Sequence, residues 1–384
     1  MARYPLIFSL LVVLMLAPGA SAQQSLIPSP PDLSSKSYVL MDASSGRVLV
    51  ERNRDERLAP ASLTKMMTAY IADREMGEGR MTLDDEIRIS ETAWRTGGSR
   101  MFVQEGSRVR VQDLMRGVVI QSGNDASVAL AEHISGGEGS FAEVMNQQAQ
   151  QLGMHNSQFT NATGLPDPEM YSTAYDMALL AVAKVQDFPE SYEMYKERYF
   201  TYNDIRQPNR NRLLWRDETV DGLKTGHTSD AGYCLVASAK RDGRRLVAVV
   251  MGASSDEARA REVQQLLNYG FRYFETHQLF SAGDKVMDSR VWKGKTPMVD
   301  LGLQDALHVS IPTGSRNQLQ SVVDVDSVLE APLKEGQEYG TLTISLNGEV
   351  LAERPLLALQ TVEQGGLFKR LWDGLKLFFA QLFS

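Results

Sequence analysis

Residues Glu56–Glu75 read ERLAPASLTKMMTAYIADRE, and Ser62–Lys65 within them place a hydroxyl and a primary amine three positions apart. On a helix, positions i and i+3 share a face about one turn apart. A helix beginning near Pro60 or Ala61, with its apolar residues in periodic spacing, puts Ser62 in the first turn, where the macrodipole is positive. A serine needs a base to become a nucleophile. A lysine desolvated by its neighbours gives up its proton more easily than in water and can be that base. An N-cap serine followed by a surface lysine gives the same four letters, and Ser-x-x-Lys arises about once or twice by chance in a chain of this length. The choice is made elsewhere in the sequence.

The 384 residues are 43% hydrophobic and 23% charged, with a net charge of −8. That is material for two domains, and the acidic balance argues against nucleic acid as the main partner. The start reads as a secretory signal: MARY is basic, PLIFSLLVVLMLA apolar, and PGASA a small-residue site ending at Ala22. An uncleaved transmembrane anchor is the rival, but the apolar run is short for a span. Met1–Ala22 is therefore set aside as a signal peptide. The single cysteine, Cys234, allows no intrachain disulfide, and its apolar setting GYCLVASA suggests a buried thiol. The five histidines are scattered, with no His-Glu-x-x-His, so neither metal nor cofactor is expected.

Along the chain, SYVLMDASSGRVLVERN reads as a β-hairpin around Ser44-Ser45-Gly46, and YCLVASAKRDGRRLVAVVMG as a second, turned at Asp242-Gly243. Helices are expected over the stretch that carries Ser62, up to a break at Ser122-Gly123, from Asn124, through SFAEVMNQQAQQLG, and through STAYDMALLAVAKV with Ser172 as cap. DEARAREVQQLLNYGFRYFETH reads as a long amphipathic helix. Hairpins at both ends with helices between predict an α/β (α+β) domain over 33–277 with an antiparallel sheet. Short alternating runs, with a turn at Asn347-Gly348, predict a small β-sandwich over 280–360.

The tail, 365–384, places Phe368, Leu371, Trp372, Leu375, Phe378, Phe379, Leu382 and Phe383 on one side of a helix. Lys369, Arg370, Asp373 and Lys376 fall on the other. Charges interrupt it too often for a span, so an interfacial helix bound to a membrane surface is expected. Half-burial of those side chains offers on the order of 10 kcal/mol gross. A helix packed on the β domain or in an oligomer is the alternative.

Two further motifs answer the opening question. VIQSGNDAS sets Ser122 and Asn124 in the break between helices, and VDGLKTGHTSDAGY sets Lys224, Thr225, Gly226 and His227 ahead of the later hairpin. Ser-x-x-Lys, a Ser-x-Asn segment and Lys-Thr-Gly, in that order, form the motif set of penicillin-recognising serine enzymes. The chain resembles the low-molecular-mass penicillin-binding proteins that are serine-type D-alanyl-D-alanine carboxypeptidases, from about residue 33 to the C-terminus. APASLTKMMTAYI, GVVIQSGNDASVALAEHI, NATGLPDP, STAYDMALLA, GLKTGHT and GFRYFETH carry the resemblance.

The resemblance implies a penicillin-binding/β-lactamase-like fold and removal of the terminal D-alanine from peptidoglycan stem pentapeptides through an acyl-enzyme on Ser62. Lys65 would be the general base, Ser122 the proton relay, Asn124 a holder of the substrate amide, and Lys224 a positive charge beside Ser122. Thr225 and Gly226, in the strand, would pair with the peptide backbone. The N–H groups of Ser62 and His227 would receive the oxyanion, and the His227 side chain is either a substrate-handling group or a strand-edge imidazole. Arg259 and Arg210 match family arginines near the substrate carboxylate, though each could be a solvated surface charge. β-Lactam antibiotics would acylate the same serine, and a role in cell-wall remodelling and cell shape follows. The implied location is the periplasmic face of the inner membrane, peripheral, after signal cleavage. One departure concerns TAWRTGG–SRMFVQEG, which is several residues shorter than in some relatives where a loop edges the site.

A class A β-lactamase would need a Glu-x-x-Leu-Asn segment between Ser122 and Lys224, and none is there. A transpeptidase or DD-endopeptidase would keep the same residues with another acceptor or a cross-linked substrate. A non-catalytic wall-binding protein would have no reason to keep Ser62, Lys65, Ser122, Asn124 and Lys224 together.

Overall fold

The computed structural model describes residues 27–382; the signal-peptide assignment and Phe383 lie outside the described residues. Strands β1 (Ser37–Asp42) and β2 (Val48–Arg52) form the first hairpin. Strands β3 (Val220–Thr228), β4 (Gly232–Arg241) and β5 (Arg244–Ala253) follow late in the first half of the fold. β1 also pairs with β5, so the sheet runs β2-β1-β5-β4-β3, antiparallel throughout. The expected hairpins are thus welded into one sheet.

The sheet is covered on both faces, and alternation along each strand sorts its side chains between them. Val39, Met41, Val236, Val247 and Val249 face the helical layer. Leu40, Leu235, Leu246, Ala248 and Val250 face the long helix Asp256–Tyr273. The helical layer contains α1 (Lys65–Gly77), α2 (Val111–Arg116), α3 (Asn124–Ser135), α4 (Glu138–Gln151) and α5 (Ala174–Asp187). The long helix is α6.

Two sequence expectations change here. α1 is not a striped amphipathic helix: Lys65 through Asp73 are all buried, because the helix lies in the middle of its layer. The cap of α5 is Thr173, whose Oγ1 accepts from Asp176 N at 3.0 Å, rather than Ser172. Ser172 is buried instead, its hydroxyl 2.7 Å from that of Ser157.

The second unit is all β. Strand β6 (Phe274–Phe280) continues directly from α6 and pairs with β9 (Leu307–Pro312), so the strand crosses the expected boundary at 277–280. The other strands are β7 (Lys285–Trp292), β8 (Met298–Gly302), β10 (Leu319–Val325), β11 (Leu329–Glu330), β12 (Glu338–Leu346) and β13 (Glu349–Ala358). They form a sheet in the order β10-β12-β13-β8-β7-β11. The β12–β13 turn has φ 51° at Asn347 and 86° at Gly348, the two left-handed positions that an Asn-Gly hairpin turn needs.

The two units touch through the first hairpin. Ser45 Oγ lies 2.6 Å from Ser310 Oγ, and Arg47 donates to Ser310 O at 2.7 Å and pairs with Glu349 at 2.8 Å.

The tail forms α7 (Leu367–Leu382). It is docked through Lys369, Asp373 and Leu377, the last 7% exposed. Asp373, 9% exposed, accepts from Lys293 N at 3.0 Å, and Lys369 Nζ donates to Lys295 O at 3.3 Å. Leu367, Phe368, Leu371, Trp372, Leu375, Phe378 and Phe379 stay exposed. Asp373, on the side of the helix opposite the apolar arc, spends its carboxylate on a backbone N–H. No helix among the described residues is long and apolar enough to cross a membrane.

Candidate active site

The approach to Ser62 is a 3₁₀ turn, Ala61–Thr64, that leads into α1. Ala61 has φ 47°, and Gly164, at φ +78°, packs against it so closely that a Cβ there would fall 1.9 Å from Ala61 O. Ser62 is half-buried and Lys65 fully buried. Lys65 Nζ lies 3.1 Å from Ser62 Oγ and also donates to Thr163 O. Burial lowers the amine to about 7, with the Arg210 charge adding to the effect and Asp125 and Glu138 opposing it. The lysine is therefore neither at the surface nor firmly protonated.

A π-helical segment, Gly117–Gln121, follows α2 and delivers Ser122 in a left-handed conformation, φ 66° and ψ 37°. Its hydroxyl accepts from Lys224 Nζ at 2.9 Å, and the same amine donates to Thr225 O at 3.1 Å. Lys224 is buried, and burial chiefly lowers its pKa well below the ordinary lysine value, with the charges of Lys65, Arg210 and Arg259 adding. Asn124, also buried, donates from its amide to Gly97 O at 2.6 Å. That bond ties it to the short segment expected to edge the site.

Strand β3 closes the arrangement. A Cβ on Gly226 would lie 3.0 Å from Pro60 O and 3.3 Å from Leu63 N, so the strand runs against the turn that bears Ser62. Thr225 is buried, while His227 is exposed with its ring 4.0 Å from that of Tyr233.

The two arginines differ. Arg259, on α6, is 7% exposed; it donates to Gly226 O at 2.9 Å and Cys234 O at 3.2 Å and pairs with Asp256. The solvated-charge reading fails for it. Arg210 is exposed and donates through Nε to Gln121 O at 3.1 Å, beside Ser122. Cys234 is buried, and its Sγ lies 3.6 Å from Ala231 O.

Three supporting residues escaped the sequence reading. Thr163 orients Lys65. Asn161 shapes the loop that carries Thr163, its Oδ1 accepting from the N–H groups of Thr163 at 3.0 Å and Gly164 at 2.8 Å. The Asn-x-x-Gly pattern of NATG was a usable signal for such a turn. Asp125 is fully buried and accepts from the N–H groups of Met101, Phe102 and Val103 at 3.0, 2.9 and 3.2 Å. It holds the segment beside Gly123; only its place after Asn124 hinted at this.

Residues 24–255 match the D-alanyl-D-alanine carboxypeptidase family, and residues 274–364 match the penicillin-binding protein 5 C-terminal domain. D-alanyl-D-alanine carboxypeptidase DacC of Escherichia coli is 44% identical over 378 residues, covering 96% of this chain and 94% of that protein. The structure of penicillin-binding protein 5 from Haemophilus influenzae superposes with a TM-score of 0.84 at 43% identity, covering 88% of this chain and all of that one. Penicillin-binding protein D2 from Listeria monocytogenes in its ampicillin-bound form gives 0.58 at 29% identity, covering 63% of this chain and all of that one. With an amine beside a serine, a second amine–serine pair and a strand laid along both, the chain belongs to the low-molecular-mass penicillin-binding proteins and is a serine-type D-alanyl-D-alanine carboxypeptidase.

Proposed function

We propose that Ser62 carries the acyl group in this reaction. The 3.1 Å approach of Lys65 Nζ to Ser62 Oγ supports that reading most directly. Held by Thr163 O, a neutral Lys65 has its lone pair free for the Ser62 proton. Ser62 Oγ attacks the carbonyl between the two D-alanines, and the oxyanion is received by the N–H groups of Ser62 and His227. The C–N bond then breaks, and the leaving amine takes its proton through Ser122, whose hydroxyl is held by Lys224. Water hydrolyses the ester and frees the shortened stem.

The substrate lies along β3 as an added strand, with Thr225 and Gly226 beside it and Asn124 at the amide on the acyl side. Arg210 and Arg259 make the end that holds the terminal carboxylate positive, and Lys224 supplies N–H donors beside it. A β-lactam places a strained amide and a carboxylate in the same positions, so it acylates Ser62 as well. The ampicillin-bound Listeria relative supports that extension.

We also place the enzyme on the periplasmic face of the inner membrane, acting in cell-wall remodelling and cell shape. Support comes from the signal-like Met1–Ala22 and from the exposed apolar arc of α7, which suits an interfacial helix.

The test is Ser62→Ala. It should abolish both D-alanine release from a stem pentapeptide and covalent labelling by a fluorescent penicillin. Labelling that survives would refute the assignment.

A further inference from the structure

The base Lys65 depends on a carbonyl that its own helix does not supply. Its amine donates to Thr163 O, in the loop between α4 and α5, so the aim of the amine follows the placement of that loop. Consecutive peptide groups there are each held by a side chain. Ala162 N donates to Glu138 Oε1 at 3.2 Å, and Ala162 O accepts from Thr68 Oγ1 at 2.7 Å. Asn161 holds the next two N–H groups from within the loop.

The helices on either side thus share the grip. Thr68 sits one turn after Lys65 on α1, and Glu138 opens α4. α4 takes hold of the same stretch again at Asn146, whose amide exchanges two hydrogen bonds of 2.8 Å with the backbone of Phe159. On its far side the loop has no slack, because Gly164 packs against Ala61 O. A shift at Glu138 is therefore passed on to Thr163 O.

The same carboxylate acts on the amine through its charge. Lys65 feels Arg210 and Lys224 as like charges, and Asp125 on α3 and Glu138 on α4 as opposite ones. Glu132, on α3, bears on Glu138 in turn. A carboxylate in that place favours the protonated amine, whereas a neutral oxygen would hold Ala162 N without doing so.

Resting on the acylation reading above, we propose that Glu138 is a positioning residue for acylation: by holding Ala162 N it keeps the Thr163 carbonyl where it directs the Lys65 amine at Ser62 Oγ. Its charge works against the base that it positions.

The experiment follows labelling of the full chain by a fluorescent penicillin across pH in the parent, Glu138→Gln and Glu138→Ala, with a melting curve for each. Glutamine keeps an oxygen for Ala162 N and loses the charge; alanine loses both. Both variants should move the midpoint of the pH profile down by about half a unit. On the high-pH plateau Glu138→Ala should label about five-fold more slowly than the parent, and Glu138→Gln should recover most of that loss. A merely structural role would lower the melting temperature and leave the midpoint in place. An unmoved midpoint in Glu138→Gln overturns the assignment, and that variant is readable even where Glu138→Ala fails to fold. So does a glutamine variant as slow as the alanine one, or an alanine variant at the parent's plateau. Labelling of the parent that survives Ser62→Ala overturns the acylation reading instead.

Discussion

The Lys65 amine lies 3.1 Å from the Ser62 hydroxyl while fully buried, so the pair can exchange a proton near neutral pH. With the amine lowered to about 7, it is neutral above that value and protonated below. Labelling of Ser62 by a fluorescent penicillin should therefore quicken about ten-fold per unit as pH rises towards 7 and level off above it. A stopped-flow profile that is flat across neutrality would contradict this. The same shift bears on stability. Between about 7 and 10.5 the unfolded chain binds the extra proton, so the penalty from Lys65 is full below that window and fades as pH rises through it.

Gly226→Ala should damage activity more than stability. The added Cβ would meet Pro60 O at 3.0 Å and Ala61 Cβ at 3.3 Å, pushing β3 away from the turn that bears Ser62. A displacement of a few tenths of an ångström there should cost about ten-fold or more in kcat/KM. Steady-state D-alanine release together with a melting curve would separate the two effects.

Asp125→Ala should destabilise the protein by about 3 kcal/mol, because two buried backbone N–H groups, of Met101 and Val103, and the part-buried one of Phe102 lose a charged acceptor at once. Asp125→Asn should recover only part of the loss. Urea unfolding of the two variants measures both values.

Truncation after Gln364 should leave the purified enzyme active and move it from the membrane fraction to the soluble fraction. The removed segment carries the exposed arc from Leu367 to Phe379, and Asp373 meets only the β unit. Unchanged fractionation would rule out α7 as the anchor.

The fold was legible where local pattern and turn chemistry agreed. The two hairpins, the Asn347-Gly348 turn and the amphipathic α6 carry their own periodicity and punctuation. The site was legible because its chemistry sits in short motifs, Ser62–Lys65, Ser122–Asn124 and Lys224–His227. What joins those motifs was not. The Lys65–Thr163 contact spans 98 positions and uses a backbone carbonyl, which every residue possesses. Asp125 likewise spends its carboxylate on main-chain N–H groups more than 20 positions away. Burial on all sides of α1 reflects neighbours rather than its own spacing, and the acceptor role of Asp373 depends on the backbone at Lys293.

The left-handed backbone at Ser122 limits which replacements the relay position can accept. Threonine offers the same alcohol with one methyl more, but a β-branched side chain fits that region of backbone space poorly. Swapping one alcohol for the other would retain the reactive group and still misplace it. The permitted alphabet at this point is thus narrowed by main-chain geometry before reactivity is ever put to the test.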